Sequence, residues 1–356
     1  MDNRKYGNQY AMIPLWEGDL AYNESLMFVA NPDGTVDDAP LMFWPEEILD
    51  CTSADGQYEY EEGVDFLVVD GKIRLTPNTR IFILPYETYY PPKEIPNQCF
   101  PKNGGGFVSF GEGSFFHDRQ VTVTYRHNDP YTGFIPKNKC SMLPKTMKRF
   151  DQSLESNLMF FGDSIVTGAN SSGCPGINVP PYLSMWPELV HEELEDMFAV
   201  KLNYSNTAVG GTASQWGVEK VQELFAPAVP DLAVIGFGMN DASGRVDRHQ
   251  FIANIKELMH LAKELNPNME FVLISTTLPN QEAAGFWSDH ETHESLLLEL
   301  EGEGVAVVEM TSMHKSLLAK KRFYDMTGNN INHPNDYLAR IYAHAIVSIF
   351  KNGATL

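Results

Sequence analysis

Five short apolar runs separated by helical stretches constrain the second half of this chain more than any other feature. The runs are residues 158–161, 200–204, 231–238, 271–274 and 305–308. Most are apolar throughout instead of alternating, which is the pattern of strands buried on both faces. Between and after them, residues 187–198, 250–265 and 336–350 are amphipathic at a helical period. In the last stretch Leu338, Ile341, Tyr342, Ala345, Ile346 and Ile349 share one face. Strands alternating with helices predict a parallel sheet covered on both sides, a three-layer, doubly wound α/β domain over residues 156–356. In such sheets the chemistry gathers at the carboxyl ends of the strands.

The first part reads differently. Residues 66–69 and 72–75 flank Asp70-Gly71, the signal of a two-residue hairpin turn. Residues 120–126 alternate as a half-buried strand should, and 25–29 and 80–84 are further strand candidates. Pro85, Pro91, Pro92 and Gly104 to Gly106 punctuate the region, which carries no helical period. Short strands with turn chemistry between them predict an all-β sandwich or jelly roll over residues 1–140. Residues 141–155 are basic, proline-containing and aperiodic, and read as a linker.

Composition narrows the partners. A net charge of −21 repels phosphate backbones and anionic lipid, so neither nucleic acid nor a membrane is expected. No apolar run approaches the roughly 20 residues of a membrane span. The polar first ten residues lack the basic start and apolar core of a secretory signal, so a soluble, cytoplasmic protein is expected. Cys51, Cys99, Cys140 and Cys174 are far apart, with no paired spacing, and read as free thiols with no zinc site. Residues 289–294, DHETHE, do not have the spacing of a zinc-binding HExxH helix and read as an acidic, solvated helix start. His117 and His127 read as structural. No GxSxG elbow occurs, which disfavours the α/β-hydrolases.

The carboxyl strand ends hold the residues that carry chemistry. Gly162-Asp163-Ser164 follows the first run, Gly210-Gly211 the second, and Gly238-Met239-Asn240-Asp241 the third. Asn330 and His333-Pro334 precede the last helix. Acyl transfer needs an activated hydroxyl, a base of near-neutral pKa and donors for the oxyanion. Ser164 on a strand-to-helix turn supplies the hydroxyl, with its N–H near a helix N-terminus. Gly211, with Gly210 as its near alternative, offers an unobstructed N–H. The Asn240 amide offers a third donor, and His333 is the natural base. Each residue also has a plainer reading: a helix-capping serine, a turn asparagine, a glycine needed only for backbone shape. Asp163 and Asp241 read as loop-fixing. Trp186 and Trp216 are candidates to line a substrate pocket, with core packing the alternative.

Taken together, the four blocks resemble the SGNH hydrolases, the GDSL esterase and lipase superfamily, named for one Ser, Gly, Asn and His. The GDS block corresponds to Ser164, the second block to Gly211, the GxND block to Asn240 and the His-Pro block to His333. The resemblance spans residues 157 to about 350 and leaves the first 150 or so unmatched. It implies a flavodoxin-like α/β/α fold and a serine esterase with no metal or organic cofactor. One departure stands out. The family commonly carries an Asp three residues before the His, and here that position is Asn330. Three expectations follow: a Ser-His dyad oriented by Asn330 or a backbone carbonyl, a substitute carboxylate at Asp325 or Asp336, or weak activity. A β-sandwich ahead of such a domain looks like bacterial carbohydrate esterases that remove acetyl groups. The expected substrate is therefore a small or oligosaccharide O-acetyl ester, cleaved through an acyl-enzyme on Ser164. A lipase, thioesterase or general acyl esterase is the alternative, and a degenerate glycan-binding protein is the alternative of another class. Homo-oligomerisation is left open.

Overall fold

The computed structural model describes residues 8–351. Most of the polar N-terminal stretch read above therefore lies outside the described residues. Among the described residues nine strands precede residue 127: β1 (Leu20–Val29), β2 (Ala39–Pro40), β3 (Glu47–Ser53), β4 (Phe66–Val69), β5 (Lys72–Leu75), β6 (Ile83–Leu84), β7 (Cys99–Pro101), β8 (Phe107–Ser109) and β9 (Gln120–Arg126). The expected β structure is present but divided. A four-stranded sheet runs β3-β9-β1-β6, with β6 parallel to β1. A three-stranded sheet runs β2-β5-β4, and β7-β8 form a ribbon. The β4–β5 turn places Asp70 at φ 50° and Gly71 at φ 71°, as an Asp-Gly hairpin turn requires. A one-turn helix, α1 (Tyr86–Tyr89), interrupts the β region.

The linker expectation for residues 141–155 needs correction. Most of that stretch is helix α2 (Pro144–Asp151), with Met147 and Phe150 buried. Its N-terminal N–H groups are satisfied from a distance: the buried Glu270 carboxylate accepts from Lys145 N (3.0 Å) and Thr146 N (2.7 Å). A carboxylate at a helix start also complements the helix dipole.

Beyond α2 the expected α/β domain follows. Strands β10 (Ser156–Gly162), β11 (Leu202–Asn206), β12 (Leu232–Gly236), β13 (Glu270–Ile274) and β14 (Val305–Val308) form a parallel sheet in the order β11-β10-β12-β13-β14. The helices are α3 (Trp186–Phe198), α4 (Ser214–Phe225), α5 (Met239–Ser243), α6 (Arg248–Leu265), α7 (His290–Leu298), α8 (Met310–Leu318) and α9 (Asp336–Ser348). Alternate side chains on each strand serve different layers. Met159, Phe161, Ala233 and Ile235 pack with Phe251, Ile255 and Leu258 of α6. Leu158, Phe160, Leu232 and Val234 face the other way, into a core shared with α3, α8, α9 and the N-terminal strands.

Helix α9 is not amphipathic in its setting: every residue from Tyr337 to Ser348 is buried. Two neighbours account for this. Tyr342 stacks on Trp186 of α3 at 5.4 Å. On the N-terminal side, Arg340 Nη2 donates to Tyr22 O and Asn23 O at 2.9 and 2.8 Å, and His344 Nε2 lies 2.8 Å from Ala11 O. The helix is thus a middle layer between the parallel sheet and the mixed sheet. Among the described residues no helix is long and apolar enough to cross a membrane.

Candidate active site

The chain leaves β10 for β11 on one side and reaches β12 on the other, so a crevice opens between the carboxyl ends of β10 and β12. Gly162 and Gly236 face each other there in register. Both must be glycine-sized: a Cβ on Gly162 would strike the Gly236 carbonyl oxygen, and one on Gly236 would strike Val166. This close approach delivers Ser164 and the Gly238–Asn240 segment to one place.

Residues 164–170 form successive turns, and the next regular helix starts only at Trp186. The expected helix N-terminus behind Ser164 is therefore absent. Asp163 holds the turn instead, accepting from Ile165 N at 2.9 Å, while Asp163 O accepts from Thr167 N at 3.1 Å. Burial pushes the Asp163 carboxyl up to about 7, its N–H partners resist that rise and the nearby Asp241 adds to it. Asp241 is itself raised, chiefly by burial, and accepts from Ser214 N and Oγ.

His333 sits on a loop built by asparagines. Asn329 Oδ1 accepts from three backbone N–H groups, Ile331 (2.9 Å), Asn332 (3.0 Å) and His333 (3.0 Å). Thr327 Oγ1 donates to His333 O at 3.0 Å and accepts from Asn330 N at 2.9 Å. Asn330 takes φ 67°, a left-handed conformation that asparagine tolerates.

The side chains of Ser164 and His333 meet. His333 Nε2 lies 2.8 Å from Ser164 Oγ, with Ser164 only 9% exposed. His333 Nδ1 lies 2.7 Å from Asn170 Oδ1. The direction of that bond follows from the rest of the Asn170 amide. Its Nδ2 faces two carbonyl oxygens, Gly113 O at 3.1 Å and Gly328 O at 3.3 Å, so it must donate there. The oxygen left facing His333 can only accept. Nδ1 therefore carries the hydrogen, and Nε2 presents its lone pair to the Ser164 hydroxyl. A carboxylate also stands near: Glu112 Oε2 is 3.5 Å from Nδ1.

Three expected partners of His333 are engaged elsewhere. Asn330 donates from Nδ2 to Ser109 O (2.9 Å) and accepts at Oδ1 from Tyr89 OH (3.0 Å). Asp325 is buried against β1, accepting from Met27 N (2.9 Å) and pairing with Arg322 (3.0 Å). Asp336 accepts from Ser172 N at 2.7 Å, and it is Asn335 that caps α9, by accepting from Leu338 N. Asn170 and Glu112 were not singled out in the sequence. Asn170 lies six positions after the serine, and Glu112 belongs to the unmatched β region.

At the candidate oxyanion donors, the N–H groups of Ser164, Gly210 and Gly211 meet no backbone acceptor among the described residues. Gly211 has φ 76°, and a Cβ at Gly210 would lie 3.6 Å from Ser164 Cβ. Asn240 donates one amide hydrogen to Thr212 O at 2.8 Å, which orients the amide and leaves its second hydrogen.

The remaining candidates are structural. Trp186 is fully buried, donating from Nε1 to Ile165 O at 2.7 Å. Trp216 packs on Phe161 at 5.4 Å. Trp186 thus belongs to the core, while Trp216 is partly buried at the edge of its cluster. The DHETHE stretch is solvated only in part: Asp289 and Glu291 are exposed, but His290, His293 and Glu294 are buried in α7, and burial drives both histidines down to about 4. His293 stacks on Phe251 at 4.1 Å. Among the described residues no group of three or more His, Cys, Asp or Glu side chains is placed to hold a metal.

A model of the GDSL-like lipase/acylhydrolase family matches residues 160–341, just over half of the chain. No curated protein sequence matches it. Among solved structures, the chain is similar to a two-domain esterase active on acetylated mannans, crystallised with mannopentaose. The identity is 20%, the TM-score 0.48, and the match covers 60% of this chain and 53% of that one. It is also similar to an acetylxylan esterase from Geobacillus stearothermophilus, at 15% identity and a TM-score of 0.43 over 54% of this chain and 92% of the other. A third is a lipolytic G-D-S-L family protein from Veillonella parvula, at 18% identity and a TM-score of 0.41, covering 55% and 97%. The chain thus spans about half the length of the two-domain mannan esterase.

Proposed function

Because the chain belongs to the GDSL-like lipase/acylhydrolase family, we propose that it is a serine esterase that removes short acyl groups, above all acetyl, from a carbohydrate. The observation that carries this is the 2.8 Å approach of Ser164 Oγ to a His333 Nε2 whose lone pair is fixed toward it. Ser164 Oγ attacks the ester carbonyl as its proton passes to Nε2. The tetrahedral oxyanion is held by the N–H groups of Ser164 and Gly211 and by the free hydrogen of the Asn240 amide. The intermediate collapses, the C–O bond to the alcohol breaks, and the alcohol leaves with the proton from Nε2. Water then gives a proton to Nε2 and attacks the acyl-enzyme, releasing the acid and restoring Ser164.

A hydrophilic alcohol suits the surroundings. Glu112, Asn329 and Asn332 are joined on the histidine side, and Asn240 lies against Thr212 on the other. A sugar fragment finds hydrogen-bond partners there that an alkyl chain would strip of water. The substrate would be a soluble oligosaccharide ester.

The test pairs a variant with a substrate series. Ser164→Ala should keep its circular dichroism spectrum and lose at least about 10⁴-fold in kcat. Activity within tenfold of the unaltered protein would exclude Ser164 as the nucleophile. p-Nitrophenyl esters from acetyl to octanoyl should be cleaved fastest at acetyl, and acetylated xylan or mannan oligosaccharides should release acetate. A preference for octanoyl would favour a lipase, and no turnover at all would favour a glycan-binding protein.

A further inference from the structure

Two residues stand at His333 Nδ1 where the family commonly has one acid, and they are not equivalent. Asn170, at 2.7 Å, is neutral and its amide is fixed at both ends. It can set the tautomer but adds no charge to stabilise an imidazolium. Glu112, at 3.5 Å, is the one carboxylate within 4.0 Å of the ring among the described residues. Its other oxygen lies 3.5 Å from Asn329 Nδ2. Burial pushes the Glu112 carboxyl up, but hydrogen bonding and charge attraction from His333, helped by Asn329, outweigh it and leave the group below its ordinary value.

Glu112 comes from the loop between β8 and β9, far from the matched family region. That loop is fastened to the histidine loop and the serine loop by several bonds. Asn330 Nδ2 donates to Ser109 O at 2.9 Å, Gly111 N to Asn329 O at 3.4 Å, and Asn170 Nδ2 to Gly113 O at 3.1 Å. The residue in the acid's usual place therefore holds down the segment that brings a different acid. We propose that Glu112, supplied by the N-terminal β region, is the charge partner of His333, and that Asn330 positions the loop that carries it. Only the catalytic consequence rests on the esterase reading; the pair itself does not.

Glu112 acts through His333 and is a positioning residue. Its side chain is 57% exposed, so its attraction to the ring is screened and modest. The groups facing the ring are Ser164, Asn170 and Glu112, and of these only Glu112 carries charge. The experiment is a ring-carbon NMR titration of His333 in the full chain, unaltered and as Glu112→Gln. At low salt the His333 midpoint should be lower in the variant than in the unaltered protein, and the difference should shrink at ~0.5 M salt. In parallel, p-nitrophenyl acetate hydrolysis should lose about five- to tenfold in kcat with little change in KM, and the acid limb of the profile should move the same way. Adding Asn170→Asp to Glu112→Gln should restore kcat, because it returns a carboxylate to Nδ1. Identical His333 titrations in the two proteins would overturn the proposal, even if kcat fell, since a structural lesion would leave the midpoint alone. An unaltered protein without turnover would sink the esterase reading, while the titration would still decide the pair.

Discussion

His333 is held by two amide oxygens, Asn329 Oδ1 on its backbone and Asn170 Oδ1 on its ring. Amides do not titrate, so these two acceptors are present at any pH. The buried carboxyl next to Ser164 does titrate. Asp163, pushed up to about 7 by burial, takes up a proton on folding anywhere between its unfolded value near 4 and that folded value. Over that window the native state binds more protons than the unfolded one, so this group lowers stability as pH rises. Other carboxylates pull the opposite way: Asp65 is held well below the usual carboxylate range, chiefly by its hydrogen bond from Arg80. The Asp163 contribution is therefore read as a difference between two proteins. Urea unfolding at pH 4.5 and pH 8 should give an unaltered chain that loses about 2–4 kcal/mol more across the interval than Asp163→Asn. Equal losses would mean that the carboxyl is ionised throughout and its N–H partners offset burial. Not every residue of this site was legible in the sequence. The Ser164–His333 pair was, through the order of its blocks. Asn170 was not, because a run of turns has no period to place it. Glu112 was not, because the contact spans 221 positions.

The type of most elements was legible in the sequence, while their extent and burial followed partners distant in the chain. The β9 strand has the extent its alternation predicts, residues 120–126, but both of its faces are largely covered: Gln120, Val121, Val123, Thr124 and Tyr125 are buried, and β9 lies between β3 and β1 in its sheet. Expected strand 80–84 shrinks to Ile83–Leu84, since Arg80 is drawn to Asp65 by bonds of 2.9 and 2.5 Å. The aperiodic stretch before β10 became α2 because Glu270, over a hundred positions away, caps it. Helix α9 was recognised as a helix from one apolar stripe, yet its polar face is covered too. Arg340 is the reason that covering is tolerated. Its guanidinium satisfies Tyr22 O and Asn23 O and lies 4.8 Å from the Tyr22 ring. Arg340→Ala would leave two buried carbonyls without that donor and a void behind the helix, at a cost of about 2–5 kcal/mol. Urea denaturation should report that loss. The hydrolysis rate per folded molecule should hold, because the Ser164–His333 contact does not involve this face. A stability within about 0.5 kcal/mol of the unaltered chain would mean that water replaces the guanidinium without penalty.

At the scale of the molecule, the question is whether the β region is an appendage or part of one folding unit. Leu26, Phe28, Val121 and Tyr125 from that region share a single buried cluster with Leu158, Phe160, Val234, Tyr342 and Ile346. Polar contacts cross the same seam. Lys321 Nζ pairs with Glu24 Oε1 at 2.7 Å, both side chains essentially inaccessible, and donates to Ser25 O and Pro40 O. Asn335 Nδ2 donates to Ser25 Oγ at 3.0 Å, and Asp325 accepts from Met27 N. An ion pair of this kind adds little net stability when intact, but leaves an unpaired buried charge if only one side unfolds, at about 3–5 kcal/mol. Opening the seam would also bare the far side of α9. A half-unfolded intermediate is thus disfavoured by both charge and apolar exposure, and the two sequence regions should melt together. That outcome is not automatic, because chains of this length often unfold in stages. The expectation is one calorimetric peak with a calorimetric-to-van 't Hoff enthalpy ratio near one. Tryptophan fluorescence, which reports on Trp186, Trp216 and Trp287 in the α/β region and Trp16 and Trp44 in the β region, should follow the same curve. A first transition that moves Trp16 and Trp44 alone, with esterase activity retained beyond it, would show that the β region is separable. It would also contradict the placement of Glu112 at the active site, since a site that keeps working after that region has melted does not depend on it.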